Sequence, residues 1–166
     1  MKPVQIIPVL AAILFASLSC SAYGDSEPSY DDTVTFIRKT MGNNPSAVRQ
    51  ERYDYIKIDG CELNYKVTGS FPVETFYEIQ FSGIDFSSLN SHQSRIGHDY
   101  TDFILLNFTN PAIYRINATD IPIHNVVINT SDDTSAKILF KAFSRLGELC
   151  GGKTGSTTLR GSQRGR

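Results

Sequence analysis

The chain has 166 residues, 40% hydrophobic and 20% charged, with a formal net charge of −1. That suits one domain with a buried core rather than a disordered chain. The segment Asp25–Cys150 holds 11 basic and 17 acidic residues, an acidic balance that argues against a nucleic-acid-binding face.

Met1-Lys2 precedes an almost unbroken apolar run, Val4–Leu18, and then the small residues Ser19, Ser21, Ala22 and Gly24. This order predicts a secretory signal peptide over residues 1–24, cleaved after Ala22 or Gly24. Cys20, directly behind the apolar run, is the alternative: a lipidation site, although Ser17 stands where a lipobox carries an aliphatic residue. No later segment is long and apolar enough to span a bilayer. Residues 25–28 form a linker, and a single domain is expected over 29–152.

Ser29 followed by Asp32 makes a capping box, and Val34, Ile37 and Met41 recur at helical spacing, predicting a short helix over Ser29–Met41. In "RYDYIKIDGCELNYKV", Asp59-Gly60 predicts a type I′ hairpin turn, with Ile58 opposite Cys61 and Ile56 opposite Leu63. Ile56, Ile58, Cys61, Leu63 and Tyr65 then form the core face. Tyr53 and Tyr55 share the opposite face and are a candidate interaction surface, with Phe76 and Tyr114 as further strand aromatics. The next strand places Thr75, Tyr77, Ile79 and Phe81 inward, and "GIDFSSLN" reads as a turn or short helical connector. Short strands are expected at 94–98, 103–108, 112–117 and 126–130, separated by Asp, Asn, Gly and Pro as in an antiparallel meander.

Thr130 with Asp133 predicts a second capping box. Behind it Ala136, Leu139, Phe140, Phe143, Leu146 and Leu149/Cys150 form one apolar stripe, with Gly151 just past the helix end. The tail over 153–166, with Lys153, Arg160, Arg164 and Arg166, is basic, poor in apolar groups and expected to be disordered. The predicted fold is α+β. A short N-terminal helix precedes seven antiparallel strands in a bent sheet or barrel, closed by the C-terminal helix.

Helix, strands and closing helix in this order resemble the pleckstrin-homology-like fold over Arg52–Cys150; that fold hosts lipid-binding, peptide-binding and architectural roles. The signal peptide, the DG-C hairpin and the Ala-Phe…Leu-Cys-Gly-Gly ending also resemble small exported bacterial proteins of unknown function. The second resemblance implies the bacterial periplasm or secretion.

If cleavage removes Cys20, the mature chain keeps two cysteines. In an oxidising compartment these predict a Cys61–Cys150 disulfide. The segment "SHQSRIGHDYTD" brings His92, His98 and Asp99 together as a candidate metal site, though without a metal-ligand spacing, and a polar β-turn accounts for the same residues. There is no G-x-S-x-G elbow, phosphate-binding glycine loop or dinucleotide fingerprint, and no cofactor is expected. The triplets at Asn107, Asn117 and Asn129 match N-glycosylation acceptors and are read as chance occurrences; His124 reads as a surface residue. The leading expectation is a non-catalytic exported module that binds a protein or a small ligand. The rivals are a metal-assisted hydrolase using His92, His98 and Asp99, and an N-terminally lipidated structural protein.

Overall fold

The computed structural model describes residues 27–43, 51–70, 76–96, 102–152 and 155–160. The signal-peptide segment, Cys20, Thr75, His98 and Asp99 lie outside the described residues.

Helix α1 spans Tyr30–Gly42, and its cap is the expected one: the Ser29 hydroxyl accepts from the Asp32 amide at 3.2 Å. Val34, Ile37 and Met41 form its buried face. Two contacts fasten α1 to the first hairpin. The Tyr30 hydroxyl donates to the Gly60 carbonyl, and Arg38 donates to the Ile58 carbonyl at 2.6 Å.

Strands β1 (Arg52–Asp59) and β2 (Glu62–Ser70) form that hairpin one step away from the expected register. Asp59 stays in the strand opposite Glu62, so Gly60 and Cys61 make the turn and Ile58 faces Leu63. Only Gly60, at the first central position, takes a positive φ, 54°, as in a Gly-x turn, whereas the type I′ Asp-Gly turn needs a positive φ at both central positions. The core face survives the shift, with Ile58, Leu63 and Tyr65 buried and Ile56 and Cys61 packed against them.

A bulge in β1 between Asp54 and Lys57 overturns the pairing of the two tyrosines. Tyr55 adopts φ 53° there, so side chains before it change face. Tyr53 is consequently buried at 5% exposure, while Tyr55 stands out at 80% with Lys66 Nζ 5.0 Å from its ring centre.

Strand β3 (Phe76–Asp85) turns Tyr77, Ile79 and Phe81 inward as expected, and a 3-10 turn over Phe86–Ser88 leads to β4 (Leu89–Ile96). The two strands expected over 103–108 and 112–117 are one, β5 (Asp102–Ile116), interrupted by an irregularity between Asn107 and Ala112 that absorbs Pro111. A two-residue turn at Asn117–Ala118, both with positive φ, returns the chain into β6 (Thr119–Thr130). Along one edge β5 pairs first with β4 and then with β3; along the other it pairs with β6.

Six strands are therefore antiparallel. A seventh, β7 (Gly155–Arg160), pairs in parallel with β4, so this part of the expected disordered tail is a strand. The reason is an open edge: β4 leaves its outer backbone groups available, and backbone pairing needs no apolar side chains.

The sheet is bent, but it is not a closed barrel. Among the described residues no backbone ladder joins β1 to β6. Side chains bridge them instead: the Tyr53 hydroxyl donates to the Asn129 carbonyl at 3.0 Å, a reach longer than the ~4.8 Å spacing of paired strands.

Helix α2 (Asp133–Leu149) covers β4, β5 and β6 with Ala136, Leu139, Phe143 and Leu146 buried. Its cap is Asp132, which accepts from the Ser135 amide at 2.8 Å. Thr130, expected to cap, stays in β6 and donates to the Asp102 carbonyl at 3.0 Å. At the far end Gly151, with φ 78°, donates to Glu148, and Gly152 donates to Gly147, the paired bonds of a Schellman ending. Leu149, counted in the stripe, is 39% exposed because the stop at Cys150 leaves it beyond the sheet.

Candidate functional site: a cleft beside the aromatic ladder

Helix α2 covers one part of the bent sheet and leaves another part open between β6 and strands β1 to β3. A cleft of about 660 Å³ lies there, within the usual range for small-molecule sites. β6 supplies Ile121, Ile123 and Val127 to it, and Ile79 and Phe81 of β3 and Tyr114 of β5 complete the apolar wall. Ile121 and Val127 are 41% and 45% exposed, unusual for β-branched side chains on a strand that flanks a core.

A row of four rings crosses β1, β2, β3 and β5. Tyr53 meets Tyr65 edge-on at 5.7 Å, Tyr65 stacks on Phe81 at 4.8 Å, and Phe81 meets Tyr114 edge-on at 5.4 Å. Such cross-strand aromatic contacts stiffen a sheet. Tyr53, Phe81 and Tyr114 present part of the row to the cleft, while Tyr65 is buried at 2%. The Tyr65 hydroxyl finds no hydrogen-bond partner among the described residues. Burial pushes its pKa well above the usual phenol value, with Tyr53 and Glu51 adding to the effect.

One end of the cleft is polar. Glu51, 5% exposed, accepts from the Tyr77 hydroxyl at 2.7 Å and from Asn129 Nδ2 at 2.6 Å. Gly69 makes this arrangement fit: a Cβ at that position would come within 2.5 Å of the Tyr77 hydroxyl and 3.1 Å of Glu51 Cγ. Neither Glu51 nor Asn129 carries a sequence signal for this role. Their elements are 78 positions apart in the chain and meet only through the bend of the sheet.

Of the residues singled out in the sequence, Tyr53 lies in the cleft and Tyr55 does not. Cys61 and Cys150 form the disulfide, with Cα atoms 5.8 Å apart, joining the first hairpin turn to the end of α2. His92 sits on β4 beneath α2, wholly buried, bonded through Nε2 to the Ser144 hydroxyl and in tilted ring contact with Phe140 at 4.5 Å. Burial lowers its pKa below the usual histidine value, partly offset by Glu148. Among the described residues no three His, Cys, Asp or Glu side chains are placed to share a metal ion. His124 lies on the β6 edge and contacts the Phe108 carbonyl at 3.1 Å.

A second groove, of about 510 Å³, runs between α1 and α2 beside Phe36 and Ile138. Arg145 on its rim pairs with Glu27 at 2.6 Å and Glu148 at 3.3 Å, so it lacks an interior polar end of the kind Glu51 makes. No helix among the described residues is long and apolar enough to cross a membrane. Compared with known proteins, the chain matches no family model, no curated protein and no solved structure.

Proposed function

We propose that this chain is a non-catalytic, exported binding module that holds a small apolar ligand in the cleft beside β6. The observation that carries the reading is the cleft's composition. Branched aliphatic and aromatic side chains line its length, and a single buried carboxylate with its hydrogen-bonded partners marks one end. A pocket of that kind orients a ligand and excludes water from its apolar part. The disulfide between the hairpin and α2 supports export, because such bonds persist in oxidising compartments.

Titration with the uncharged dye Nile red tests the binding reading. Its emission should rise and saturate with the intact protein. Val127→Arg, a change at an exposed cleft position, should weaken binding about tenfold or more without altering the far-UV circular dichroism. No saturable rise would overturn the reading. Intact mass of the exported protein tests the compartment: cleavage after Ala22 or Gly24 is expected, and a lipid-modified Cys20 would point to the anchored alternative.

A further inference from the structure

Away from the cleft, β7 is attached to the sheet differently from the other strands. It lies on the outer edge of β4 in a continuous register, from Ser91 opposite Gly155 to Ile96 opposite Arg160, and it runs parallel. Every other pairing among the described residues is antiparallel, and parallel ladders are slightly weaker per residue. The β7 sequence, Gly-Ser-Thr-Thr-Leu-Arg, has one sizeable apolar residue, so backbone pairing rather than apolar area is what this segment has to contribute. We infer that the β4 edge is a strand-acceptor site that takes the β7 segment of a second copy of this chain, so that two copies exchange these strands.

Lifting β7 leaves the body of the fold in place. α2 ends in Cys150, bonded to Cys61, and Gly152 just beyond it donates to the Gly147 carbonyl at 2.8 Å. Gly152 is also a tight fixed point, since a Cβ there would come within 2.5 Å of the Phe86 carbonyl oxygen. Only residues 153 and 154 separate this anchor from β7. Opening is therefore local to the last strand. A hinge this short invites exchange, because few residues are left to turn the strand back onto its own edge. Once open, the β4 edge presents unpaired N–H and C=O groups, and the released β7 presents the complementary set. Each chain holds one acceptor and one donor whose register is already matched, so two copies satisfy each other reciprocally. That arrangement closes with two-fold symmetry and stops at the dimer. The tether gives β7 an effective concentration of about 1 mM at its own edge. Single chains therefore dominate in dilute solution, and exchange grows as the protein concentration nears that value.

Cross-linking between register partners provides the test. One copy carries Gln93→Cys and the other Thr157→Cys, both with Cys20→Ser and with the Cys61–Cys150 disulfide formed. Gln93 and Thr157 are paired positions, within disulfide reach on adjacent strands. The two are mixed at about 1 mM and oxidised with copper–phenanthroline. A covalent heterodimer is expected, at about tenfold the yield obtained when the donor also carries Ser156→Pro and Leu159→Pro. Those two positions differ in phase along the strand, so a pairing amide is lost whichever alternate set bonds to β4. Heterodimer no more abundant than in the proline control would overturn the exchange, whether or not a chain carrying both cysteines cross-links within itself. Light scattering of the unmodified protein decides the matter if a variant does not fold. Its mean mass should rise from one chain toward two as the concentration approaches about 1 mM, and a constant single-chain mass would overturn the inference.

Discussion

At the scale of single residues, two buried polar side chains make opposite demands on stability. The Tyr65 hydroxyl is enclosed without a partner among the described residues, and an unsatisfied buried hydroxyl costs roughly 1–3 kcal/mol. Tyr65→Phe keeps both ring contacts and removes only that oxygen, so it should raise the unfolding free energy by about 1 kcal/mol in urea titrations. A loss of stability would mean that the hydroxyl is satisfied by an ordered water. His92 acts through protonation. Its pKa is lowered in the fold, so below the usual histidine pKa of about 6.5 the unfolded chain takes up a proton more readily than the folded one. Stability is therefore complete above that pH and falls as the pH drops below it. Denaturation midpoints between pH 7.5 and 5.5 should decline for the wild type and stay flatter for His92→Phe. Asp85 and Asp132, both lowered by hydrogen bonds, contribute at more acidic pH, where protonation removes acceptors from the amides of Ser87 and Ser135.

Among the elements, the helices hold to the sheet by different means. α1 is fastened through Tyr30 and Arg38 to carbonyls of the first hairpin. α2 buries Phe143 and Leu146 and ends in Cys150, bonded to Cys61 across 89 positions of sequence. In the chain-entropy description, a loop of that length makes the cross-link worth about 4–5 kcal/mol. Cys61→Ala with Cys150→Ala should lower the unfolding free energy by an amount of that order, measured against the oxidised wild type in urea. A change below about 1 kcal/mol would mean that the unfolded chain already holds these ends together. Gly147 lets α2 lie close on β4, since a Cβ there would come within 2.6 Å of Leu89 Cδ2.

Across the whole molecule, the bend of the sheet creates the site. β1 and β6 stop short of pairing and are bridged by Tyr53 and Glu51 to Asn129. A fully paired barrel of this size would fill its interior with its own side chains. Beside this open seam Ile121 and Val127 face the cleft. The helices and disulfide therefore secure the closed part, and the cleft lies beside the open edge.

The sequence by itself determined what local chemistry controls. The first helix cap, the apolar stripe of α2, its glycine stop, the inward alternation of β3 and the Cys61–Cys150 pairing all rest on spacings of a few residues or on a count of two cysteines. Positions whose outcome depends on distant partners needed the tertiary structure. The hairpin register moved because the turn took Gly60 and Cys61, with Gly60 supplying the positive φ at the first central position, and a bulge at Tyr55 reversed the face of Tyr53. Pro111 was absorbed into a long β5, because β6 continues past it on the other edge, and β7 formed because β4 offered an open one. Above all, neither Glu51 nor Asn129 carries a motif for this role. They form one end of a site because a twisted sheet curves two remote strands toward each other, and curvature is a property of the assembled sheet.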